Sequence, residues 1–195
     1  TFTVLYLDHM ERPVYAEVLT HFLALATIAG AVIVALGALY VGYLVLKQRH
    51  TLVQYGDILR KIVLPFGFVV SFGGVFLTLF YSQVLHYAPC DLCWYQRVFL
   101  YPQAFLFAYA WWRKDLAVLP YTLLLSVVGF VIALYHHMLQ IGYDLMKPCS
   151  TAPFAVDCSK PSFIEFGFVT FPFMAVVLFG FLALVTVIAL QGTKK

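Results

Sequence analysis

The stretch VLTHFLALATIAGAVIVALGALYVGYLVL, residues 18–46, contains no Asp, Glu, Lys or Arg. As a helix, roughly 20 such residues suffice to cross a hydrocarbon core about 30 Å thick. This run is longer than that and is expected to tilt or to project beyond the bilayer. Further apolar runs lie near 62–85, 94–112, 117–139 and 167–190. Together they imply an all-α, polytopic membrane protein: a four-helix transmembrane bundle preceded by one additional transmembrane helix. The composition agrees, because the 195 residues are 63% hydrophobic and 11% charged, against about 25% charged in soluble domains. A formal charge of +3, scattered between apolar blocks, excludes a nucleic-acid surface.

The placement of that charge gives an orientation. Lys47, Arg49, Arg60 and Lys61 fill the first connection, Arg113 and Lys114 the third, and Lys194 and Lys195 the tail, whereas the connection around His86–Pro89 has no Lys or Arg. Basic loops stay in the cytoplasm. The chain is thus expected in a cell (inner) membrane with its N-terminus outside and its C-terminus cytoplasmic. Lys147 and Lys160 in the fourth connection run against this, but Asp144, Asp157 and Glu165 accompany them. The expected organisation is an extracytoplasmic segment 1–17, the additional helix 18–46, a cytoplasmic linker 47–61, and a four-helix unit 62–195 with an outer loop 140–166. The first span is expected not to be a signal peptide, since Asp8, Glu11 and Glu17 precede it against a lone Arg12. The linker spaces Leu52, Tyr55, Leu59 and Ile62 almost helically, which suits a short helix on the inner surface or a plain loop. Pro65, Pro102, Pro120 and Pro172 are expected to kink their spans. Ala26, Gly30 and Gly37 would let another helix approach closely.

Four cysteines fall into two pairs, Cys90/Cys93 in HYAPCDLCWYQRVFL and Cys149/Cys158 in KPCSTAPFAVDCSKP. Paired thiols persist as disulfides in an oxidising compartment, and the charge pattern puts both pairs on the outer face. Pro89 suits helix initiation, so Cys90 and Cys93 are expected in the first helical turn, where free N–H groups and the helix dipole favour a thiolate. Arg97 continues the same stripe one turn deeper. An arginine at the centre of a span costs about 2.5–3.5 kcal/mol. It either snorkels to the headgroups or stabilises an anion, such as the Cys93 thiolate or an oxygen of a reduced carbonyl cofactor. A Cys-x-x-Cys can also be half of a zinc site, but the second pair does not repeat the short spacing, so no metal is expected. Two inert disulfides in a membrane scaffold are the other alternative. A three-residue spacing at a helix start, however, closes a small, strained ring that suits exchange better than stapling.

Cys149 and Cys158 sit in a loop rich in Pro, Ser and Asp, open to a soluble thiol. Electrons entering there could pass inward to Cys90 and Cys93, two pairs in series. A strong soluble oxidant lies near −120 mV and a structural disulfide below about −300 mV, a gap of about 8 kcal/mol for two electrons, so the relay needs a sink. A lipid-soluble two-electron acceptor, a quinone, fits a site facing the bilayer, with the protein supplying position and charge. His136 and His137, at the outer end of the fourth span, could donate a hydrogen bond or proton to it, or simply bond water and headgroups.

PCDLCWYQR, followed by YHHMLQ, a two-cysteine loop and IEFGFVTFPFM, resembles the disulfide bond formation protein B family of quinone-linked membrane thiol oxidases, over residues 62–190. The resemblance implies that Cys93 faces a quinone, ubiquinone or menaquinone, that Arg97 sits at its ring, and that His136 matches the family's histidine, with His137 an unmatched neighbour. It further implies that Cys149 forms the mixed disulfide with a soluble thioredoxin-fold oxidase of the disulfide bond formation protein A type, and that Cys158 returns electrons to Cys90. Two departures stand out: the additional first span, and Gln96 where a glutamate sometimes precedes the arginine. Vitamin K epoxide reductases share the two-pair logic but place their loop cysteines before the Cys-x-x-Cys.

Overall fold

The computed structural model describes residues 14–143 and 156–192, and its regular elements are all helical. The long helices are α1 Val14–Lys47, α2 Arg49–Leu79, α3 Asp91–Arg113, α4 Leu119–Gln140 and α5 Phe171–Leu190; a π-helical turn, Phe80–Val84, extends α2, and a 3-10 turn, Leu116–Val118, leads into α4. Four helical stretches are long and apolar enough to cross a membrane: Val14–Lys47, His50–Val84, Leu116–Gln140 and Phe171–Leu190. At 23 residues α3 has the length as well, although Asp91, Gln96, Arg97, Gln103 and Arg113 lower its apolarity. The protein is a multi-pass membrane protein.

In the bundle α2 packs on α3 and α5, and α4 on the same two helices, while α1 lies outside against α5. One end of the core gathers Val63, Leu64, Phe107, Ala110, Leu119, Leu182 and Ala189. The opposite end gathers Cys90, Leu92, Leu139 and Cys158. Lipid tails are as apolar as leucine, so helices associate through close packing and shared hydrogen bonds. Both are present. Gly129 leaves room for the Phe179 ring, which would lie 2.5 Å from a Cβ at that position. In the core, the Ser126 hydroxyl donates to Gln103 Oε1 at 3.0 Å and the Gln103 amide donates to the Phe99 carbonyl at 3.0 Å, so these two buried side chains have partners.

Several expectations change in detail. Residues 49–61 are the opening turns of α2, leaving Gln48 as the whole α1–α2 connection. These turns have something to pack on: Leu52 is buried, Gly56 passes the backbone of Gly192 too closely for a side chain, and Arg60 Nη1 donates to the Gly192 carbonyl at 2.9 Å. Pro65 and Pro102 lie inside helices. Pro120 and Pro172 instead occupy the first turns of α4 and α5, where a missing N–H costs nothing because it would have no helical acceptor. The small residues of α1 do meet a neighbour, since Cβ atoms at Gly30 and Gly37 would stand 3.0 Å from Val177 and 2.6 Å from Leu184 of α5.

Candidate redox site

After the π turn the chain passes through His86, at φ 55°, and reaches Cys90, the N-cap of α3, whose backbone is extended at φ −77°, ψ 173°. The Trp94 N–H donates to the Cys90 carbonyl at 3.1 Å, closing the first turn around Cys93. Both thiols are free and their sulfurs are 3.1 Å apart. That is beyond the roughly 2.05 Å of a bond but close enough to share a proton. Sequence spacing puts Cys90, Cys93 and Arg97 on one stripe. The structure divides them: Cys93 and Arg97 line an apolar cavity, and Cys90 does not. The N-cap dihedrals explain the division, because a residue outside the helical screw does not follow its periodicity.

Cys90 faces α4. Its sulfur is 3.6 Å from His136 Nε2, which also stands 3.2 Å from the carbonyl of Cys158. Gln96 Nε2 lies 3.0 Å from His136 Nδ1 and Gln140 Nε2 lies 3.4 Å from His136 Nε2, so a side-chain amide flanks each ring nitrogen. Gln140 Nε2 also lies 3.5 Å from the Cys158 carbonyl. His136 is fully buried and is not part of the cavity lining. His137 turns elsewhere, to Thr170 Oγ1 at 3.2 Å. Cys158 is disulfide-bonded and only 1% exposed. Cys149 lies outside the described residues.

The hydrogen bond from Cys93 lowers the Cys90 thiol to about 4, and His136 adds to the effect while burial opposes it. Both hydrogen-bonding neighbours favour the thiolate at Cys90. The two sulfurs and a nitrogen of His136 lie within 4.8 Å of one another, a donor set that could also hold a soft metal ion.

The cavity has a volume of about 160 Å³ and lies between α1, α2, α3 and α5. Leu77, Leu100, Leu178, Met174 and Phe179 make it apolar, and Cys93, Gln96, Arg97 and Thr78 supply a polar edge. Arg97 is 8% exposed. One of its nitrogens donates to the Thr78 carbonyl at 3.1 Å, and the guanidinium carbon lies 5.0 Å from the centre of the Trp94 ring, within cation–π range. These contacts hold the cation at the edge of the cavity. Sequence alone does not single out Gln140, Thr78 or Tyr81, and marks Gln96 only as a departure from the family pattern, without a role. Gln96 and Gln140 sit within the two motifs, three residues after Cys93 and four after His136, where helical spacing could have found them.

The family model described as Disulfide bond formation protein DsbB matches residues 60–189. The chain is 38% identical over 112 residues to SPbeta prophage-derived disulfide bond formation protein B of Bacillus subtilis (strain 168), covering 57% of this chain and 74% of that protein. To Disulfide bond formation protein C of the same organism it is 32% identical over 138 residues, 70% of this chain and 97% of that one. To a probable disulfide formation protein of Chlamydia caviae it is 38% identical over 138 residues, 70% and 96% of the two chains. No solved structure matches the chain.

Proposed function

Because this chain belongs to the disulfide bond formation protein B family, whose activity is thiol oxidation, we propose that it passes electrons from a soluble thioredoxin-fold oxidase of the disulfide bond formation protein A type to a membrane quinone. The observation that carries this reading is the division of the Cys-x-x-Cys: Cys93 lines an apolar cavity together with Arg97, and Cys90 turns toward His136 and the Cys158 backbone. The cavity suits a quinone, ubiquinone or menaquinone, with apolar walls for ring and tail and a guanidinium at the edge where an oxygen would gather charge. Bound there, a quinone supplies the sink for two electrons and two protons.

The chain's own residues perform the exchanges. A thiolate of the reduced partner attacks the Cys149–Cys158 disulfide at Cys149; the partner's second thiol then closes its own disulfide and leaves both loop thiols reduced. Cys158, held beside Cys90, attacks the sulfur of Cys90 in the Cys90–Cys93 disulfide, and Cys93 departs as thiolate toward the cavity. Cys149 then attacks Cys158, which restores the loop disulfide and leaves Cys90 reduced. Two electrons and two protons now reside on Cys90 and Cys93 for delivery to the acceptor. Arg97 offsets negative charge at the cavity edge, and His136 Nε2 holds or moves a proton at Cys90 Sγ. In this reading the cysteine end of the bundle faces outward and the basic end faces the cytoplasm. Steady-state oxidation of a reduced thioredoxin-fold protein should depend on added quinone and stop in Cys93→Ser; unchanged turnover in that variant defeats the mechanism.

A further inference from the structure

The family match begins at residue 60, so α1 lies outside it, yet α1 reaches the redox cavity. Leu23 is one of the cavity's lining residues, alongside Tyr81 and Phe171. Three ties hold α1 at that level. The Thr20 hydroxyl donates to the Ala16 carbonyl at 2.7 Å, which uses its proton, so the Tyr81 hydroxyl donates to Thr20 Oγ1 at 2.7 Å. Tyr81 is 5% exposed and its ring meets that of Phe171 at 4.8 Å. His21 Nδ1 stands 3.3 Å from Glu165 Oε2, and its ring lies 5.0 Å from that of Phe166. Ala16, Thr20 and Ala24 form a buried stripe at four-residue spacing, whereas Phe22 and Leu25 face outward.

We infer that α1 is a wall of the acceptor site, in which Leu23 sets the size of the ring that fits and the Thr20–Tyr81 hydrogen bond fixes the wall in place. The inference rests on the quinone reading above. A side chain that forms one apolar wall acts on binding through volume: a larger group excludes the ligand and a smaller one admits a bulkier ligand. Binding is separable from chemistry. The full-length protein in lipid nanodiscs, with its disulfides intact, can be titrated calorimetrically with a short-tailed benzoquinone and a short-tailed naphthoquinone.

Leu23→Trp should weaken the affinity for both by about tenfold, the effect of a badly fitting hydrophobic group. Leu23→Ala and Thr20→Val should each shift the preference toward the two-ring naphthoquinone. In turnover, Leu23→Trp should raise KM for quinone and leave kcat unchanged, the mark of lost ground-state binding. Wild-type affinities and preference in both Leu23 variants would overturn the role of α1 and leave the quinone reading intact. Failure of the wild-type protein to bind either quinone would overturn both.

Discussion

At Cys90 a few neighbours decide the chemistry of one sulfur. The Cys93 thiol donates to it, His136 stands beside it, and together they hold its pKa near 4 despite burial. A lowered thiol pKa means that the thiolate persists at neutral pH and is lost only as pH falls through about 4. Alkylation of Cys90 in the reduced protein, followed by peptide mapping, should therefore be nearly independent of pH between about 6 and 8. In Cys93→Ala, which removes the larger cause, the midpoint should move up; a wild-type midpoint in the ordinary thiol range would contradict the assignment. Arg97 is a second case. Lysine keeps the charge but loses the planar fork that reaches the Thr78 carbonyl and stacks on Trp94. Arg97→Lys should raise KM for quinone by about tenfold, roughly 1.4 kcal/mol, while oxidation of the Cys90–Cys93 pair by a small disulfide is retained. The identities of these residues are legible in the sequence. Their division between two environments is not, because it depends on the dihedrals of one N-cap residue.

Among the helices, the spans are easy to read because hydropathy over about 20 residues is a strong signal. Their ends are not. The charged stretch 47–61 reads as a linker because it interrupts the apolar pattern, but its helix is stabilised by the contact of Gly56 and Arg60 with Gly192, which sequence spacing does not reveal. The prolines divide by position within the helix. Nothing in YSQVLHYAP marks the π turn that brings Tyr81 toward Thr20. Close packing gives the prediction at this scale: Gly129→Ala places a methyl against the ring of buried Phe179 and should cost about 1–3 kcal/mol, lowering Tm in detergent. Gly73 provides the contrast, since a Cβ added there would meet no heavy atom within 4 Å among the described residues beyond its own turn of helix. Gly73→Ala should leave Tm unchanged or raise it, because alanine favours a helix by up to about 1 kcal/mol. Equal destabilisation by the two substitutions would show that ring contact is not the cause.

Across the whole molecule, one end carries Lys47, Arg60, Lys61, Arg113 and Lys114 and the other the redox groups, an arrangement the alternating helices produce from the loop charges alone. In intact cells, after mild reduction, a membrane-impermeant maleimide should label the loop cysteines and should not label a cysteine introduced as Lys114→Cys; the reverse pattern would invert the proposed topology. The proposed relay is equally a property of the whole chain, since it joins a loop, the start of α3 and the end of α4 around His136. The two pairs are visible in the sequence and the family resemblance supplies their order, while the packing of Cys158 with Cys90 is visible only in the fold. The most direct measurement is an anaerobic single turnover, in which reduced protein is mixed with one equivalent of quinone and the product is mapped by mass spectrometry. The account predicts one quinone reduced, with the Cys90–Cys93 disulfide that forms first passing on to Cys149 and Cys158 in the wild type and retained at Cys90–Cys93 when both loop cysteines are replaced by serine; Cys93→Ser should abolish quinone reduction. Quinone reduction that survives Cys93→Ser, or that requires the loop pair, would contradict it.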